Sequence, residues 1–178
     1  MRRPSAARRP AAVRMVGPLQ WIAWPMLLTM AATVVLATPI ELFGLTLPEP
    51  VIPMVLAFAW PLIRPSLLAP VALLACGLFL DLLWGGPSGL WPLALLAPYG
   101  LVLLSRPLIV GQDTRVLFGW YGAATALCFS MAYMVVWLRA GNAPSLISLA
   151  LQVLPTVLLF PLADRLVQRF DDGDVRFR

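Results

Sequence analysis

The chain has 178 residues, 61% of them hydrophobic and 12% charged, with no histidine and a net charge of +5. That is too little polar surface to coat a soluble globule, so the composition points to an integral membrane protein. It also excludes the usual zinc and haem ligands and any Ser-His or Cys-His nucleophile.

The first element is the basic tail over residues 1–17, with Arg2, Arg3, Arg8, Arg9 and Arg14 and no acid. It resembles a signal n-region, but the apolar run behind it is too long for a signal core, so it is expected to stay in place and to orient the first span. Five arginines there would also touch anionic lipid. The basic residues are divided among short loops, so nucleic acid is not an expected partner.

Six apolar segments follow, at 18–38, 47–63, 66–84, 87–104, 115–138 and 145–166. A helix crossing ~30 Å of hydrocarbon takes about 20 residues, and five segments meet that length. The second is short: residues 51–63 would rise only about 20 Å, and Leu45 to Leu47 are expected to extend it. Arginine placement favours six crossings, because short cytoplasmic loops carry the positive side chains. With six, twelve of the thirteen arginines lie on one side and Arg139 alone on the other. With five, the arginines divide almost evenly. The expected fold is therefore all-α, with a membrane domain over 18–166, a charged tail over 167–178 and both termini cytoplasmic. All seven tryptophans fall near predicted span ends, as interfacial rings do.

Within the spans, Pro25, Pro61, Pro70, Pro92, Pro98, Pro155 and Pro161 predict kinked helices packed against one another. The third span ends in "GLFLDLLWGGPSGLW", which places Asp81 beneath a reversal built from Gly85, Gly86, Pro87 and Gly89. Pro87 suits the first position of the next helix. Asp81 is then set to accept backbone N–H groups at that helix's positive end, and Arg139 is the one cation able to join it. In the fifth span Gly122, Ala126 and Ser130 form one small-residue row, with Gly119 and Ala123 in a second. Such rows permit close helix approach, either within the fold or with a partner. In the last span Ser145, Ser148, Gln152 and Thr156 share one helical face, readable as interhelical bonding or as the wall of a ligand cavity. Cys76 and Cys128, near mid-span, read as small packing residues.

In their order these elements resemble the bacterial rod-shape protein family MreD. The acidic, proline-rich "LPEP" is followed by "WPLIRP" and then by "GLFLDLLWGGPSGLWPL". There Gly77, Leu78, Asp81, Pro87 and Gly89 stand where the family has its G-L-x-x-D and P-L-G elements, with Ser88 in place of the apolar residue. "SRP" closes the fourth span, and Gln152, Thr156 and Pro161 match the family's Q-x-x-x-T-x-x-x-x-P pattern. The similarity runs over about residues 45–165. It implies a non-enzymatic inner-membrane scaffold of the cell-elongation machinery, without cofactor. Its expected partners are MreC, MreB, RodZ, RodA, a class B penicillin-binding transpeptidase and membrane lipid. The fold it implies is similar to the substrate-binding S-component of energy-coupling-factor transporters. That similarity supplies the alternative expectation, a transport subunit binding a small molecule or lipid beside Gln152, Thr156 and Asp81.

Overall fold

A computed structural model describes residues 14–17, 19–37, 41–42, 45–46, 49–140, 146–171 and 175–177. The packed body is all-helical. A π-helical turn, Leu19–Ala23, leads into α1 (Trp24–Leu36). Then come α2 (Met54–Ile63), α3 (Leu68–Trp84), α4 (Leu90–Ile109), α5 (Thr114–Ala140), α6 (Leu146–Val157) and α7 (Phe160–Asp171). Extended chain among the described residues is confined to two small ladders. Arg14–Val16 pairs in parallel with Val175–Phe177, and Glu41–Leu42 pairs antiparallel with Leu45–Thr46.

Three helices are long and apolar enough to cross a membrane: Leu90–Ile109, Thr114–Arg139, and Leu149–Phe170, the last uniting most of α6 and α7. Shorter apolar helices cover Gln20–Leu36, Met54–Ile63 and Leu68–Trp84. The outer surface is apolar as well. Leu82 is 84% exposed, Leu104 83% and Leu158 74%, a surface compatible with a membrane protein.

At the centre lies α2, buried from Met54 through Leu62. A helix apolar on every side is stable only where neighbours cover every side. Here α4 and α7 cover most of it, with α3 and α5 completing the wall. Trp60 donates its indole N–H to the carbonyl of Trp21 at 3.1 Å, tying α2 to the π-helical turn.

The second segment departs from expectation. Its helix covers only Met54–Ile63, about 15 Å at the helical rise. Leu45 belongs to a ladder instead of extending the helix, and Leu47 lies outside the described residues. Prolines at 48, 50 and 53 explain this, since each lacks an N–H and disfavours helix in the residue before it.

The fourth helix is shifted at both ends, starting at Leu90 instead of Pro87 and running through Arg106 and Pro107 to Ile109. Gly89, at φ +91°, is its N-cap, so Pro87 is not the first helical residue. The last helix continues past 166 to Asp171, into the segment expected to be a tail. The basic tail over 1–13 lies outside the described residues.

The prolines divide by position. Pro25, Pro70, Pro92 and Pro161 occupy first turns, where no N–H is needed. Pro61, Pro98, Pro107 and Pro155 stand inside helices. The last span breaks between α6 and α7 just ahead of Pro161.

Three tryptophans are core residues: Trp21 is 3% exposed, Trp60 0% and Trp91 7%. Nearness to a span end placed them in sequence but did not expose them.

Candidate functional site

At the junction of α3 and α4 the chain reverses through Gly85 (φ +62°) and Gly89 (φ +91°), left-handed conformations that glycine adopts without strain. Gly86 has no positive φ, so the turn uses the other two glycines. Pro87 accepts the Leu90 N–H at 3.1 Å, closing the turn.

Beneath the reversal Asp81, 6% exposed, holds the start of α4 with both carboxylate oxygens. Oδ2 accepts the Gly89 N–H at 2.6 Å and Oδ1 accepts the Trp91 N–H at 3.0 Å. Helix starts leave backbone donors without partners, and a carboxylate satisfies them while offsetting the dipole. The donors are thus the N-cap residue of α4 and the second residue of the helix. Arg139 is exposed, and among the described residues no bond joins it to Asp81. The expected third element in this contact is therefore absent.

Four residues before Asp81, Gly77 faces the first turn of α4. A Cβ on it would press into the backbone nitrogen of Pro92, closer than any side chain tolerates. Gly77 thus sets the spacing of α3 and α4, and Asp81 their register.

A second cluster joins this end of the bundle to the last span. Trp84 donates its indole N–H to Glu49 Oε2 at 2.5 Å. Its ring meets Trp91 edge-on at 4.9 Å, and Trp91 meets Phe129 of α5 at 6.3 Å. From the other side Gln152 donates to the Glu49 carbonyl at 3.1 Å. The Val51 N–H donates to Thr156 Oγ1 at 3.1 Å, and that hydroxyl donates to the Gln152 carbonyl at 2.8 Å. Tyr121 of α5 donates to the Thr156 carbonyl at 3.0 Å.

The polar face of the last span is thus accounted for by the irregular chain ahead of α2. Non-helical backbone in an apolar interior must find protein partners, and Gln152 and Thr156 are those partners. Ser145 and the Ser148 side chain lie outside the described residues. Pro161 is exposed at the start of α7 and touches neither cluster's hydrogen bonds.

Three stretches far apart in sequence, 49–51, 77–91 and 152–156, therefore meet as one hydrogen-bonded framework. Sequence reasoning assigns no bonding role to Glu49, Trp84 or Tyr121. Glu49 carries a signal, being an acid between two prolines in an apolar chain, whereas Tyr121 carries none.

The small-residue rows of α5 turn away from the core. Gly119, Ala123, Ala126 and Ser130 are exposed, Gly122 is half-buried, and among the described residues nothing lies within 4 Å of where a Cβ on either glycine would stand. Internal packing, the simpler expectation for these rows, is thereby overturned. Cys76 and Cys128 are buried free thiols of the core. Among the described residues no group of three or more His, Cys, Asp or Glu side chains is placed to hold a metal ion.

Compared with models of protein families, with characterised proteins and with solved structures, the chain gives no match.

Proposed function

We propose that this chain is a non-catalytic, multi-pass scaffold of the bacterial inner membrane, an MreD-like subunit of the cell-elongation machinery. In this reading it links MreC and the peptidoglycan-synthesis enzymes, RodA and a class B penicillin-binding transpeptidase, to MreB and RodZ. The observation that carries the scaffold reading is the open small-residue face of α5. Gly119, Gly122, Ala123, Ala126 and Ser130 let a second helix approach closely, and nothing in the described fold occupies that approach. The MreD-like part rests on the ordered motifs at 45–165.

Six crossings complete the proposal. The short α2 crosses together with the irregular chain before it, which adds up to ~3.3 Å per residue. The Gln152 and Thr156 bonds to Glu49 and Val51 supply what such a composite span needs. Arginine placement puts both termini in the cytoplasm, and the pairing of Arg14–Val16 with Val175–Phe177 is consistent with tails that leave from one side. The S-component-like fold is likewise a proposal resting on the resemblance. The transport alternative loses its motivating feature, because the groups that would line the ligand cavity are engaged with the chain's own backbone.

Depletion in a rod-shaped host that depends on this chain tests the reading. Cells should round up, and MreC should be recovered with the tagged protein from mild detergent. Rods that persist, together with loss of uptake of a vitamin, would replace the scaffold by the transport subunit.

A further inference from the structure

Opposite the Asp81 framework, where α2, α4, α5 and α7 end or begin, lies a cavity of about 160 Å³. Its walls include Leu62, Ile109, Gln112, Thr114, Asp164 and Gln168. Asp164 Oδ2 accepts the Gln168 side-chain amide at 2.8 Å, while Oδ1 is buried and, among the described residues, has no hydrogen-bond partner. An unmet acceptor on a buried oxygen is costly and calls for a donor. Across Val110, which lines both spaces, an open groove of about 350 Å³ runs past Leu103, Pro65 and Pro107 and carries Arg106. The Arg106 guanidinium is held by the Leu62 carbonyl at 3.4 Å.

A carboxylate oxygen without a described donor and, across Val110, a guanidinium on an apolar groove together match a zwitterion with an acyl tail. The surroundings narrow the choice further. Arg115, Arg165 and Arg169 are exposed around this end, a field that repels a basic segment of a partner protein but accepts a cation carrying its own phosphate. We infer that this cavity binds the head of a primary-amine phospholipid, with the ammonium donating to Asp164 and the phosphate lying toward Arg106. A primary ammonium offers three N–H donors, whereas a choline head offers none. The site rests on the membrane-spanning reading but needs no elongation partner.

The test is native mass spectrometry of the full-length protein released from detergent, with phosphatidylethanolamine and phosphatidylcholine of identical acyl chains supplied in equal amount. Wild type should retain the ethanolamine lipid about tenfold over the choline lipid, the discrimination expected for a hydrogen bond to a charged group. Asp164→Asn should lower that preference to near unity while leaving the thermal melting of the lipid-free protein unchanged. Leu117→Trp, which fills the cavity from α5 without altering charge, should do the same. Excess glycerophosphoethanolamine, the same head without acyl chains, should not displace the lipid. Equal retention of the two lipids by wild type, an undiminished preference in Asp164→Asn, or displacement by the soluble head would each overturn the assignment. Because no partner protein is present, such a failure leaves the scaffold reading standing, whereas a chain that does not enter detergent micelles or bilayers would defeat both.

Discussion

Replacing Asp81 probes the framework at its narrowest point. The carboxylate is nearly inaccessible and receives two backbone N–H groups, from Gly89 at 2.6 Å and Trp91 at 3.0 Å. Asp81→Ala leaves both donors buried without partners, each costing about 1–3 kcal/mol. Loss of the anion at the helix start adds about 0.3–2 kcal/mol, so the expected destabilisation is roughly 4 kcal/mol within a span of about 2 to 8. Sequence alone would expect Asp81→Asn to be tolerated, because an amide keeps an acceptor. The two-pronged geometry says otherwise: the amide NH2 must face one of the two N–H donors, so Asn retains only one bond. It should fall about midway, near 2 kcal/mol. The assay is equilibrium unfolding of the purified protein in detergent, read by tryptophan fluorescence, alongside protein level in membranes. An Asp81→Ala variant unfolding within about 0.5 kcal/mol of wild type, the ordinary scatter of an uninvolved surface change, would refute the capping role.

The close approach at Gly77 predicts that Gly77→Ala forces α3 and α4 apart and destabilises by about 1–3 kcal/mol; an unchanged unfolding midpoint would show that the contact relaxes freely. Thr156→Val removes the acceptor for the Val51 N–H and should cost about 1–3 kcal/mol, whereas Thr156→Ser should recover most of it. A Thr156→Val variant as stable as wild type would show that the Val51 N–H does not depend on this hydroxyl. Topology reporters placed at Arg64 and Gly111 should read cytoplasm and those at Glu49 and Gly86 periplasm; a periplasmic signal at Arg64 would remove the second crossing.

The apolar segments were legible because hydrophobic runs bounded by Arg, Gly and Pro mark helices whatever their partners. Asp81 was legible for the same local reason, since acceptor and donors lie within ten residues of each other. The limits arise where a contact spans the chain. Gln152 and Thr156 stood out as a polar stripe, but their partners Glu49 and Val51 lie more than 100 residues away, and no periodicity reports such a pairing. The second segment read as short, but not as short as it is: its helix begins only at Met54, a start for which Pro50 and Pro53 held the clue. The direction of the α5 rows could not be read at all, because small residues permit close approach on either face and only packing decides which is used.

That outward face is where the scaffold role is most directly open to test. A photo-reactive residue at Ala126, in otherwise wild-type cells growing as rods, should cross-link to a single-span partner of the elongation machinery, with MreC the expected adduct. The same residue at exposed Leu82 of α3 should give no protein adduct. If Ala126 yielded no protein adduct in cells that keep their shape, the α5 face would be a lipid surface and the scaffold reading would lose the observation that carries it.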